Sequence, residues 1–143
     1  MPEVTVQYAV ARKGLPSAQS VRKWAAVSLQ RDAQITVRFV GLREGRSLNK
    51  LYRAKNYATN VLSFVYDPKR PNGDLVLCAP VIAKEARHQG KRLLDHYAHL
   101  IVHGMLHLQG WDHKHAATAS KMEKREIAIL AGLGISDPYV VAA

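Results

Sequence analysis

Residues Leu93–Leu108 read LLDHYAHLIVHGMLHL. Leu94, Ala98, Ile101, Met105 and Leu108 recur at the helical period and predict one apolar stripe. At roughly 100° per residue, His103 points about 180° from Leu94, with His96, His99 and His107 near it on that opposite side. The spacing therefore predicts a helix with one face for a core and an imidazole face for something else.

The residues before this helix supply a surface for it to lie on. VTVQYAV (Val4–Val10) alternates as a strand does, and ITVRFV (Ile35–Val40), NVLSFVY (Asn60–Tyr66) and LVLCA (Leu75–Ala79) read as three more. Pro16 and Ser17 open a helix running to about Gln30, with Val21, Trp24, Ala25 and Leu29 on one stripe. Gly41 to Gly45 reads as a loop, after which Ser47 caps a helix with Leu48, Leu51 and Tyr52 on its buried side. DPKRPNGD (Asp67–Asp74) reads as the loop between strands three and four, with Asp74 capping its final turn. Pro80 starts a short helix that Gly90 ends, and a last helix spans about Ala116 to Leu130 before Gly132 and Gly134. The order βαβαββααα predicts one α/β (α+β) domain over residues 1–143, a small four-stranded mixed sheet packed with helices.

The 143 residues are 48% hydrophobic and 22% charged, the balance of a globular chain with a real core. No run reaches the roughly 18 apolar residues that span a bilayer. MPEVTVQYAV lacks the pattern of a signal peptide, and the single cysteine, Cys78, excludes an internal disulfide; both lead us to expect a cytoplasmic protein. Twenty-one Lys and Arg against eleven Asp and Glu give a formal charge of +10, which favours a polyanionic partner. The excess is concentrated before residue 61. Nucleic acid suits it better than an acidic membrane, because no basic amphipathic helix stands out.

All seven histidines lie between His88 and His115. His103, His107 and His113, with Gly110 before the last, match the histidine and glycine spacing of the metzincin zinc motif His-Glu-x-x-His-x-x-Gly-x-x-His. His103 and His107 stand at i and i+4, and Gly110 lets the chain turn so that His113 returns as a third ligand. Three neutral imidazoles leave one position of a tetrahedral zinc open, which is the arrangement of a catalytic site. His99 and His103 form another i, i+4 pair, so the register is not unique. His96 and His99 are open to ligand-orienting, substrate-contacting or purely structural roles, and His88 reads as a surface residue.

The glutamate of the protease motif is absent, since Gly104 stands in its place. That glutamate protonates the leaving amine, whereas zinc alone still brings bound water to a pKa of about 7. Its loss argues against amide hydrolysis and leaves phosphodiester hydrolysis open. Asp112 or His115 could act as base, or no residue need do so. Arg53, near the end of the second helix, is one of many arginines able to grip a phosphate bidentately.

SLNKLYRAKNYATNVLSF (Ser47–Phe64), NGDLVLC (Asn72–Cys78) and HLIVHGMLHLQGWDH (His99–His113), in that order, resemble the signature of the bacterial YbeY family of rRNA-maturation endoribonucleases. The resemblance covers about Val4 to Tyr139. It implies zinc on His103, His107 and His113, a functional arginine at Arg53, and metal-dependent cleavage of single-stranded RNA in maturation of the 16S rRNA 3′ end. It further implies the small ribosomal subunit and assembly factors as partners, and a role in ribosome quality control. Ala58 and Val65 replace prolines frequent in that family, and Trp111 replaces a tyrosine while keeping an aromatic able to stack on a base. Two other readings stand beside this one: an RNA-binding assembly factor with a structural zinc, and a metallohydrolase of amides.

Overall fold

The computed structural model describes residues 2–29, 32–67, 72–111 and 115–140. Four strands, β1 (Glu3–Tyr8), β2 (Gln34–Val40), β3 (Val61–Asp67) and β4 (Asn72–Cys78), form one sheet in the order β1-β2-β4-β3. The β1–β2 and β2–β4 pairs are parallel and β3–β4 is antiparallel. Five helices complete the domain: α1 (Ala18–Ser28), α2 (Leu42–Arg53), α3 (Ala79–Gln89), α4 (Leu93–Leu108) and α5 (Ala116–Gly132). This is the expected element order and the expected mixed sheet.

Alternation explains the layers. Ile35, Val37 and Phe39 of β2 and Leu75 and Leu77 of β4 point to one face, where they bury against α1 and α4 in the main core. Val40, Leu62, Val76 and Cys78 form a smaller cluster with Leu48 of α2 on the other face. Each fully buried side chain of this size stabilises the fold by roughly 1.5–3 kcal/mol. α1 begins where Ser17 accepts a hydrogen bond from the Ser20 backbone N–H.

Three local readings change in the structure. α2 starts at Leu42 instead of Ser47, and it buries Gly45 and Asn49 while Leu51 (73%) and Tyr52 (62%) stay exposed. Gly45 lies so close to Cys78 that a Cβ there would come 3.0 Å from its Sγ, and the buried Asn49 amide donates to the Tyr57 carbonyl. Asn72, Gly73 and Asp74 belong to β4 itself and not to a loop. Gly73 lies beside a β-bulge at Val65/Asp67, where a Cβ would come 2.0 Å from the Phe64 carbonyl oxygen. Asp74 accepts a hydrogen bond from the Tyr66 hydroxyl across the pair (2.6 Å) and does not cap a turn. Gln30 lies outside the described residues.

α4 is the central element, packed on β3, β4, α1, α3 and α5. Because it is enclosed on several sides, its buried face is wider than one stripe and takes in His96, Tyr97, Leu100, Val102 and Leu106. Leu94, at the open N-terminal end, is instead 47% exposed. Among the described residues no helix is long and apolar enough to cross a membrane.

Candidate active site

α4 carries His99, His103 and His107 along a side that faces α5 at one end and β3 at the other. The His103 and His107 rings meet edge to face with centroids 4.6 Å apart, and their Nε2 atoms approach to 3.1 Å. Two imidazole nitrogens bound to one tetrahedral zinc at about 2.0–2.1 Å are separated by about 3.3–3.4 Å, so this pair fits such an ion. His113 and Asp112 lie outside the described residues.

His103 also uses its other ring nitrogen. Its Nδ1 is hydrogen-bonded to Glu126 Oε1 of α5, while Glu126 Oε2 accepts from the Tyr139 hydroxyl. His99 Nε2 lies 3.5 Å from Glu126 Oε2 and 3.3 Å from the Tyr139 oxygen. Glu126 is 0% exposed. Burial opposes its charge, but the hydrogen bonds from His103, His99 and Tyr139 outweigh it and pull the carboxyl down to about 2. Burial and the Glu126 carboxylate push the Tyr139 phenol far above its ordinary value. His99, His103 and Glu126 bring ligand atoms within 4.8 Å of one another, so this region holds more than one set of groups able to take a metal.

Arg53, the last residue of α2, lines the same cleft as His103 and His107, together with Tyr52, Thr59, Asn60 and Val61–Val65 of β3. The cleft holds about 540 Å³. A strand face would contribute every second residue, so five consecutive ones mean that β3 lines the cleft with its edge. β3 is an outer strand of the sheet, which leaves backbone donors and acceptors along that side for a substrate. Tyr52 stands against Phe64 with centroids 4.9 Å apart, both rings at the cleft.

His96 takes no place in this cleft. It is buried on the α3 side with Nε2 3.0 Å from Glu85 Oε1, and Glu85 in turn accepts from Asn60 Nδ2 at 3.2 Å. Burial pushes its pKa down, against the hydrogen bond to Glu85, which favours the charged form. His88 is exposed. His115 caps α5 through its backbone, with its N–H donating to Thr118 Oγ1 at 3.3 Å, and is absent from the described cleft lining. Trp111 packs on the main core and lines a separate depression with Gln109 and Lys121.

Sequence reasoning missed Glu126, Tyr139 and Tyr52. The signal for Glu126 was present: Met122, Glu126, Ile129 and Leu130 share one buried helical stripe, and a lone acid in such a stripe needs a partner. Tyr139 offered no comparable pattern.

A family model described as Endoribonuclease YbeY matches residues 12–134. The chain belongs to the YbeY endoribonuclease family. Relatives named Endoribonuclease YbeY include one from Stenotrophomonas maltophilia (strain R551-3), 54% identical over 96% of this chain and 92% of its own length. Others come from Aromatoleum aromaticum, 55% identical over 95% of this chain and 91% of the relative, and from Xanthomonas axonopodis pv. citri, 55% identical over 96% and 92%. The fold is also that of TM1509 from Thermotoga maritima, known from a solution structure, with a TM-score of 0.62 at 20% identity over 96% of this chain and 99% of that one. The family resemblance and the α+β fold expected from sequence are thereby established.

Proposed function

We propose that this chain cleaves single-stranded RNA in maturation of the 16S rRNA 3′ end and in ribosome quality control, using one zinc ion held by His103, His107 and His113. The observation that carries the reading is the meeting of the His103–His107 nitrogen pair with Arg53 in one cleft. Imidazole donors with an open fourth position favour zinc over hard cations. When bound, the ion supplies Lewis acidity and lowers the pKa of a coordinated water toward neutrality. Arg53 supplies the complementary function: its guanidinium grips the scissile phosphate through two hydrogen bonds and offsets the charge that builds on its oxygens. The β3 edge aligns the strand, and Tyr52 offers an exposed ring for a base to stack on.

α2 adds an approach. Arg43, Arg46, Lys50 and Arg53 recur at i, i+3, i+7 and i+10, so they lie along one side of the helix leading to the cleft. A polyanion following that row arrives at Arg53 with its phosphate in place. The RNA, the small ribosomal subunit and its assembly factors are the partners that suit this surface, and the cytoplasm is the compartment where they meet.

The test compares wild type, Arg53→Ala and His107→Ala on a single-stranded substrate from the rRNA 3′ end, with metal content and fold measured for each. Arg53→Ala is expected to lower cleavage on the order of 10²–10³-fold while keeping zinc, the loss typical of one oxyanion-stabilising donor. His107→Ala is expected to lose both zinc and cleavage. Hydrolysis leaves a monophosphate at one new end; 2′,3′-cyclic phosphate products would assign the attack to the ribose hydroxyl and overturn the mechanism.

A further inference from the structure

Glu126 is a fully buried carboxylate that, among the described residues, has His103 Nδ1 on Oε1 and the Tyr139 hydroxyl donating to Oε2, with His99 Nε2 3.5 Å from Oε2. A carboxylate can only accept, so the His103 Nδ1 contact calls for its proton there. A carboxylate at Nδ1 selects the imidazole tautomer whose proton sits there. His103 then turns its Nε2 toward His107 Nε2, 3.1 Å away, at the rim of the Arg53 cleft. The same bond joins α5 to the middle of α4, so the ring is held in position as well as in tautomer.

We propose that Glu126 is a positioning residue for the metal site: it locks His103 as the Nδ1–H tautomer, orients Nε2 toward the ion, and is itself held by Tyr139. This rests on the reading that His103 and His107 bind the metal. It is distinct from direct ligation by Glu126. If His99, His103 Nδ1 and Glu126 bound the ion themselves, it would replace the Nδ1 proton and the ion would sit behind the ring, on the side away from His107. Carboxylate partners of ligating histidines raise the basicity of the metal-bound nitrogen, and losing one typically weakens metal affinity roughly 10–100-fold.

The test joins nitrogen NMR of the histidine rings with zinc affinity measured by chelator competition. In the metal-stripped wild type, His103 is expected to carry its proton on Nδ1, and that proton should persist after zinc is added. Glu126→Gln, nearly equal in volume, is expected to mix the His103 tautomers and weaken zinc binding roughly 10–100-fold. Tyr139→Phe leaves the carboxylate in place and should weaken zinc binding less. A cobalt-substituted Glu126→Gln protein should show a shifted visible spectrum, which a remote structural defect would not produce.

An Nε2–H tautomer in the wild type, or loss of the Nδ1 proton on zinc binding, would overturn the proposal even if Glu126→Gln failed to fold. So would a folded Glu126→Gln protein with wild-type affinity. If His107→Ala kept full zinc affinity, the His103–His107 metal site itself would be wrong; if only Glu126→Gln did so, the site would stand and the positioning role would fall.

Discussion

A methyl group at residue 104 would lie 2.7 Å from Leu75 Cδ2, inside the packed interface between α4 and β4. That contact gives a physical reason why α4 carries no glutamate after His103: the position faces the sheet, where Leu75 is fully buried. Gly104→Ala gains about 1 kcal/mol of helix propensity, but overpacking costs about 1–3 kcal/mol. We expect a net destabilisation of up to about 2 kcal/mol in chemical denaturation, with Gly104→Glu far worse because it adds a buried, unpaired carboxylate. A Gly104→Glu protein of wild-type stability would disprove the packing. His96 makes a second residue-level prediction. Its Nδ1 is buried with no partner among the described residues, and its pKa is lowered in the fold. The unfolded chain, with an imidazole pKa of about 6.5, therefore binds the extra proton first. The stabilisation from neutral His96 is complete above that pH and is lost as the pH falls toward the lower folded value. Thermal unfolding of metal-stripped protein should show a shallower loss of stability below about pH 6.5 in His96→Gln than in wild type. Equal slopes would contradict the assignment.

At the scale of elements, α2 carries the clearest difference between sequence and structure. Leu48, Leu51 and Tyr52 have the spacing of a buried face, yet the helix buries Gly45 and Asn49 and turns Leu51 outward, while Tyr52, on the Gly45 side in the last turn, stays exposed against Phe64. Periodicity identifies a helix well but not which side of it faces the sheet when small residues permit a closer approach. Tyr52 and Arg53, in the last turn, reach the cleft, and Arg43, Arg46 and Lys50 stay exposed. If this row tracks RNA, changing Arg43 and Lys50 together to glutamine should weaken single-strand binding and reduce the salt slope. Each lost phosphate contact removes roughly 0.7 from the slope of log affinity against log salt, about 1.4 for two. Filter binding over a salt series measures this directly, and an unchanged slope would remove α2 from the RNA path. The β3–β4 pair was legible as two strands, but the Asn-Gly signal pointed to a turn while the structure uses Gly73 for a close strand approach. Glycine serves both purposes, and local sequence does not separate them.

Across the whole molecule, the element order and mixed sheet were readable because long periodic stretches dominate the chain, α4 above all. The His103–His107 pair was readable because both residues lie on one helix. What joins the site together was not, since it depends on contacts between elements remote in sequence: Arg53 enters from α2, Glu126 from α5 and Tyr139 from the segment beyond it. Glu126 was detectable only as an acid in an apolar stripe, and its partner could not be known before α4 and α5 were packed. The measurement that tests the central claim most directly is RNA cleavage by the metal-stripped chain during a zinc titration, with His107→Ala prepared in parallel. Cleavage should be absent at the start, rise in proportion to bound zinc and level off at one ion per chain, while His107→Ala stays inactive throughout. Cleavage at full rate before zinc is added, or equal cleavage by His107→Ala, would contradict the assignment of catalysis to this metal site.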